Sequence, residues 1–190
     1  MSGFELFFSL FGLILGLAIA SLAAGASDIL RDEKRIKIGW LTPLLVVFLL
    51  IDLSSFWIAS YRSLQDVRVG FPSMMWAVGM AVIYFFAAAV VFPKKLDAWD
   101  DLDAYYMKHY RWIIGGVLVA NAALQTLTGA LNPAGVLASW WERLFRWQDV
   151  TYYSCLAMML LFPKRIVHIA AYVILLLGYA LIVALNPALT

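Results

Sequence analysis

Charged residues are scarce in this sequence of 190 residues. Only 14% of them are Asp, Glu, Lys or Arg, against about 25% in an average soluble domain, whereas 64% are hydrophobic. This composition excludes a soluble globular protein. Because one membrane-spanning helix takes about 20 apolar residues, the apolar residues suffice for roughly six spans and leave no room for a separate domain outside the bilayer.

Cysteine and histidine are also rare. Cys155 is the single cysteine, so no disulfide can form within the chain. The two histidines, His109 and His168, have no metal-spaced cluster around them, although a pair at equal depth could serve as the axial ligands of a b-type haem. A proton-relay role for His168 alone is the other interpretation. Basic residues are divided among short loops and form no continuous stripe, which argues against nucleic-acid binding.

The apolar runs between charged residues predict an all-α, polytopic integral membrane protein with six transmembrane helices. The predicted spans are 4–26, 40–61, 74–92, 112–131, 150–162 and 166–185. The linkers after the first, third and fifth spans hold ten of the 14 Lys and Arg residues. Since an excess of positive charge marks the cytoplasmic side, we expect three hairpins with both termini outside the cytoplasm, in a bacterial inner membrane.

Two further segments are predicted to lie on the membrane surface. Apolar and aromatic residues recur at helical spacing over 96–110, with acidic residues on the other faces, which is typical of an interfacial amphipathic helix. On the opposite side, residues 136–148 combine several tryptophans with charges that can pair along one helix face. That segment is expected to continue into the fifth span, whose apolar run is too short to cross the bilayer alone.

A carboxyl group near the middle of the second span is the most informative feature. A charged side chain at the bilayer centre costs about 2.5–3.5 kcal/mol on insertion scales, so Asp52 should face a partner, a cavity or a conduction path. Asn121 and Gln125 share one face of the fourth span, and Ser55 and Tyr84 are further wall residues. We therefore expect a channel or transporter that passes protons or small cations along a polar path around Asp52.

Small residues recur at every fourth position of the first span, namely Gly12, Gly16, Ala20 and Ala24. Such a row lets two helix backbones approach closely. It predicts either a homo-oligomer interface or a packing face against another helix of the chain. If Asp52 instead clamps helices together by bonding to an amide of the fourth span, the chain is a non-catalytic membrane scaffold or accessory subunit.

Acidic residues between the third and fourth spans suggest a third function. Asp97, Asp100 and Asp101 lie close together at the predicted cytoplasmic surface, where they could hold Mg²⁺ for an enzyme that acts on a lipid-phosphate substrate. No second acidic motif accompanies them. Solvated acids on an amphipathic helix explain the run more simply, so we expect no catalytic residues and no cofactor here.

Overall fold

The computed structural model describes residues 3–31, 36–65, 70–99, 101–131 and 135–185, apart from the side chain of Asp97. The described residues form seven α-helices: α1 Gly3–Arg31, α2 Leu41–Leu64, α3 Phe71–Ala89, α4 Leu102–Leu131, α5 Gly135–Arg143, α6 Trp147–Leu161 and α7 Arg165–Ala184. A short 3₁₀ turn covers Leu96–Ala98. Apart from one isolated bridge between Lys37 and Asp101, these residues contain no β-structure, so the described chain is all-α.

Five of the described helices are long and apolar enough to cross a membrane, namely α1, α2, α3, α4 and α7. The predicted span 150–162 corresponds to α6, which has 15 residues. At 1.5 Å per residue α6 is about 22 Å long, shorter than the roughly 30 Å of a hydrocarbon core. The protein is therefore an integral membrane protein with five helices that meet the length criterion, against six predicted.

The helices pack around a central pair. α2 and α4 contact each other, α1 and α3 pack on one side of this pair, and α6 and α7 pack on the other. α5 lies against α4. Side chains from helices on both sides can therefore meet between α2 and α4.

The two ends of the bundle differ in composition. At one end of the bundle, α1, α3 and α6 end and α2, α4 and α7 begin. Two contacts hold this end together, namely a hydrogen bond from the backbone N–H of Leu102 to the carbonyl oxygen of Lys37 and a 3.6 Å ion pair between Arg165 and Asp101. We call this the basic end, because it also carries Lys94. The opposite end holds the α5–α6 turn with its tryptophans, and we call it the aromatic end.

The structure divides the predicted surface helix over 96–110 differently. α4 begins at Leu102 and continues to Leu131 without an intervening proline. The apolar face formed by Leu102, Tyr106 and Tyr110 is buried in the bundle. An apolar stripe at helical spacing is identical in sequence whether it faces lipid headgroups or other helices, so periodicity alone could not distinguish the two.

The predicted surface segment over 136–148 also differs from the structure. It is divided between α5 and α6 by a turn at residues 144–146, where Arg146 has an extended backbone with φ −92° and ψ 111°. Arg143 and Asp149 pair across this turn with an N–O distance of 3.1 Å. α6 therefore begins as a separate helix and does not extend the preceding one.

Candidate functional site

Asp52 lies near the middle of α2 and is only 1% exposed. Its carboxyl group accepts hydrogen bonds from two tyrosine hydroxyls. Tyr84 of α3 donates to Oδ2, and Tyr179 of α7 donates to Oδ1 over 2.8 Å. The carboxyl group therefore joins α2 to helices on both sides of the central pair.

Asn121 of α4 extends this arrangement from the other central helix. Its Nδ2 atom lies 2.9 Å from the hydroxyl oxygen of Tyr84 and 2.9 Å from that of Tyr152 on α6. The same atom is 3.0 Å from the carbonyl oxygen of Val117. Asp52 and Asn121 are thus linked through the hydroxyl of Tyr84.

Ser55 lies one turn after Asp52 and supports the same group of side chains. Its hydroxyl donates to the carbonyl oxygen of Asp52 over 2.9 Å and lies 3.3 Å from the hydroxyl of Tyr179. Five helices contribute to the resulting set. The Asp52 cluster consists of Asp52, Ser55, Tyr84, Asn121, Tyr152 and Tyr179.

The hydrogen bonds around the carboxyl group have a defined direction. The Asn121 amide nitrogen can only donate, so the Tyr84 oxygen accepts from it and the Tyr84 hydroxyl proton points to Asp52. Tyr179 donates to the other carboxyl oxygen. Because an ionised carboxylate is purely an acceptor, this donor set complements a negative charge. The site can hold that charge and can receive a proton or a cation.

A cavity of about 210 Å³ lies against the Asp52 cluster, with room for several water molecules. Its lining includes Asp52 and Tyr179 of the cluster, and Arg143 and Asp149 beside the α5–α6 turn. One carboxylate oxygen of Asp149, Oδ2, is buried without a hydrogen-bond partner among the described residues. The cavity therefore connects the buried carboxyl group with charged side chains at the aromatic end.

Gln125 shares a helix with Asn121 but does not line this cavity. Its Nε2 atom donates to the carbonyl oxygen of Ser139 on α5 over 3.2 Å, and the side chain is 4% exposed. Gln125 therefore fastens α5 to α4. Of the predicted path residues, the structure brings Asp52, Ser55 and Tyr84 together with Asn121 and places Gln125 elsewhere.

A second buried polar group lies between α4 and α7, nearer the basic end. The Tyr106 hydroxyl is 2.6 Å from Nδ1 of His168 and 2.8 Å from the Tyr172 hydroxyl. Nε2 of His168 is 3.2 Å from the carbonyl oxygen of Phe162 in the α6–α7 turn. We call Tyr106, His168 and Tyr172 the His168 cluster, and all three side chains are 0% exposed.

The haem ligation considered for the two histidines stays a prediction, and the structure shows the bonds that each ring already makes. Both ring nitrogens of His168 are hydrogen bonded to protein groups. Nδ1 of His109 lies 2.9 Å from the carbonyl oxygen of Tyr105 in its own helix. Iron ligation by His168 would require one of its two hydrogen bonds to break.

Acidic side chains near the start of α4 act as helix caps. Asp101 accepts a hydrogen bond from the backbone N–H of Ala104, in the first turn of α4. Asp103 accepts one from the backbone N–H of Thr42 over 3.3 Å, at the start of α2. Carboxylates in these positions satisfy N–H groups that have no partner within the helix. They therefore have a structural role that does not require a metal.

The predicted magnesium site is only partly covered by the structure. Asp100 and the side chain of Asp97 lie outside the described residues, and Asp101 is engaged as a cap. Among the side chains that are described, no group of three or more His, Cys, Asp or Glu is arranged to hold a metal ion. The lipid-phosphate enzyme stays a prediction.

The row of small residues on α1 is largely uncovered. Gly16, Ala20 and Ala24 are exposed, whereas a Cβ atom added at Gly12 would lie 3.2 Å from Nε1 of Trp57 on α2. Of the two glycines in the row, only Gly12 would bring an added Cβ atom within 4 Å of another described helix. An oligomer interface along this row stays a prediction.

Four tyrosines in these clusters are not singled out as site residues by the sequence. They are Tyr106, Tyr152, Tyr172 and Tyr179. The available signal is chemical, because a tyrosine within an apolar helix needs a partner for its hydroxyl when it is buried. The sequence does not show which helix supplies that partner.

Compared with protein-family models, curated proteins and solved structures, the chain matches none, so its own residues are the basis for a function.

Proposed function

We propose that the protein passes protons or small cations across the membrane along a path that contains the Asp52 cluster. The supporting observation is a carboxyl group at mid-helix, 1% exposed, that lines a cavity reaching a charged turn at the aromatic end. An asparagine could accept hydrogen bonds from a tyrosine without the cost of a charge. A carboxyl group at this place is therefore better explained by a need to bind a proton or a cation.

The path begins at the aromatic end in this proposal. A cation meets Asp149 at the cavity wall, where one carboxylate oxygen pairs with Arg143 and the other has no described partner. It then reaches Asp52 through the cavity. The hydroxyls of Tyr84 and Tyr179 hold the carboxylate in place, so its position is set before the cation arrives.

The same proposal includes α6 as the sixth span. α6 packs against α4 and α7, two of the helices that are long enough to cross a membrane. By sequence, ten of the 14 basic residues lie between predicted spans that are joined at the basic end, which therefore faces the cytoplasm, with both termini outside. The aromatic end is then the outer entrance, in a bacterial inner membrane.

A scaffold is the second candidate function. The Asp52 cluster links five helices by hydrogen bonds, an arrangement that would stabilise a bundle without transport. The uncovered row that includes Gly16 and Ala20 offers a face for a second copy or a partner subunit. Loss of the Asp52 charge separates the two functions, because transport needs the charge and a clamp needs the bonds.

Filling the cavity tests the proposed path. Gly178 lines the cavity, and a Cβ atom added there meets nothing within 4 Å. Gly178→Leu should therefore fold normally and occlude the path. We expect wild-type protein in liposomes to dissipate an imposed proton or cation gradient faster than protein-free vesicles, and the variant to be slower by about tenfold or more.

Gly79→Leu is the matched control. Gly79 is an exposed helical glycine outside the cavity, and an added Cβ atom there also meets nothing within 4 Å. This variant should keep the wild-type flux. Equal flux in wild type and Gly178→Leu would show that the cavity is not the path, and a wild-type rate equal to that of empty vesicles would exclude transport.

A further inference from the structure

The hydrogen bonds of the His168 cluster run in one direction. Nε2 of His168 faces the carbonyl oxygen of Phe162, which can only accept, so Nε2 carries the ring proton and Nδ1 is an acceptor. Nδ1 therefore accepts from the Tyr106 hydroxyl, whose oxygen accepts from Tyr172. The result is a chain of hydrogen bonds, all donated in the same direction, from the interior of the bundle to the α6–α7 turn at the basic end.

This chain suits a proton and does not suit a metal cation. The three side chains are 0% exposed, and both ring nitrogens are already bonded. A hard cation such as Ca²⁺ or Mg²⁺ needs about six or more oxygen ligands in a coordination shell of its own. A proton needs only an exchange of donors and acceptors along existing hydrogen bonds.

An apolar layer separates the two clusters. Tyr172 and Tyr179 are two helical turns apart on α7, about 10 Å along the axis, and Leu175 lies between them, 4% exposed. Phe48, one turn before Asp52, is fully buried, and its ring centroid lies 5.5 Å from that of Tyr172. Hydrophobic constrictions of this kind close a path by excluding water.

We propose that the transported ion is a proton, that the His168 cluster carries it to the basic end, and that Phe48 and Leu175 form the closed gate between this cluster and Asp52. The inference rests on the proposed function and names the ion and the second half of the path. This inference gives a role to His168, the one buried histidine among the described residues, which is not part of the Asp52 cluster.

The transfer balances in protons. When water bridges the apolar layer, a proton released from Asp52 reaches the Tyr172 oxygen while the hydroxyl proton of Tyr172 moves to Tyr106. The hydroxyl proton of Tyr106 moves to Nδ1 of His168, which becomes an imidazolium. The bond from Nε2 to the Phe162 carbonyl then breaks, and Nε2 passes its proton to water that enters at the α6–α7 turn. One proton enters, one leaves, and tautomer exchange of the ring with rotation of the hydroxyls restores the starting bonds.

His168→Gln tests this role. Glutamine can accept from Tyr106 through its oxygen and donate to the Phe162 carbonyl through its nitrogen, but it cannot exchange a proton between the two ends. We expect proton flux in voltage-clamped liposomes to fall by about 10²-fold or more, the scale of a lost acid–base group, with an unchanged unfolding temperature. Wild-type flux should be the same when Na⁺ and K⁺ are replaced by a large organic cation.

His109→Gln is the matched control, because His109 lies on α4 near the same end and bonds only to the Tyr105 carbonyl among the described hydrogen bonds. It should keep the wild-type flux. If His168→Gln unfolds, Tyr106→Phe breaks the chain with the ring retained, and Tyr105→Phe, which loses a bond to the Val90 carbonyl, is its control. Tyr106→Phe should then lose proton flux, and Tyr105→Phe should retain it.

The outcomes separate this inference from the proposed function. Wild-type flux in both His168→Gln and Tyr106→Phe, together with loss of flux in Asp52→Asn, would overturn the proton chain and leave transport through Asp52 intact. A wild-type flux carried by Na⁺ or K⁺ would also overturn it. Unchanged flux in Asp52→Asn would remove the proposed function, and the inference with it.

Discussion

Replacing Asp52 with Asn should reduce flux through the protein to the rate of protein-free liposomes while the fold is retained. Asparagine has the same shape, and its carbonyl oxygen can still accept from Tyr179. Its amide nitrogen would face the Tyr84 hydroxyl, which must rotate away, at a cost of about 1 kcal/mol for one lost hydrogen bond. The variant therefore keeps the joint between helices but loses both the charge and the exchangeable proton.

Two measurements on purified protein separate transport from a scaffold. Flux is measured in liposomes, and stability is measured as the thermal unfolding midpoint in detergent. A scaffold would show no flux in the wild type, and Asp52→Asn, which keeps most of the bonds, would lose no more stability than the one hydrogen bond accounts for. Asp52→Leu provides the contrast, because it leaves the hydroxyls of Tyr84 and Tyr179 without their acceptor and should lower stability by about 1–3 kcal/mol per buried hydroxyl.

Glu142→Gln is the control for removal of a carboxylate. Glu142 is exposed on α5 and does not line the cavity, so this variant should keep both flux and stability. If it lost flux as completely as Asp52→Asn, the effect would reflect net charge and not the position of Asp52. That result would contradict the assignment of the Asp52 cluster.

Gly39→Ala should cause the largest loss of stability from a single added methyl group. A Cβ atom at Gly39 would overlap the carboxyl group of Asp103, which is 7% exposed and accepts from the backbone N–H of Thr42. Asp103 would have to move, and α2 would lose its cap. A lost cap together with overpacking gives an expected cost of about 2–4 kcal/mol, measurable by denaturant unfolding in micelles.

Gly115→Ala is the comparison for that experiment. Gly115 lies within α4, and an added Cβ atom there meets nothing within 4 Å. Since alanine favours a helix over glycine by about 1 kcal/mol, this variant should be neutral or more stable. If Gly39→Ala unfolded together with the wild type, Asp103 would not be the fixed cap between α4 and α2.

The sequence predicts the long helices because the length of an apolar run and the positions of the charged residues around it can be read directly from the order of residues. Asp52 stands out for the same reason, since an acidic residue within an apolar run is unusual whichever way the helix is rotated about its axis. The start of α4 is less predictable. Lys108 and Arg111 mark an apparent boundary, yet the helix begins at Leu102 because the intervening apolar face packs inside the bundle.

The spacing of residues along one helix does not predict which side chains of other helices they contact. Asn121 and Gln125 share a face by their four-residue spacing, but Asn121 meets Tyr84 and Tyr152 while Gln125 meets Ser139. Spacing defines a face and not the neighbour that covers it. The rotation and order of the helices decide which neighbour is met, and both arise from packing of the whole chain.

The shortness of α6 has a consequence for the surrounding lipid. α4 has 30 residues and α6 has 15, so the two helices differ about twofold in length along their axes. With α6 as a span, the bilayer beside it must thin, or lipid headgroups must bend inward, to avoid hydrophobic mismatch. The thinnest place then lies next to the α5–α6 turn, where the cavity meets Arg143 and Asp149. Short-chain lipids would therefore favour this protein, and thick, sterol-rich membranes would disfavour it.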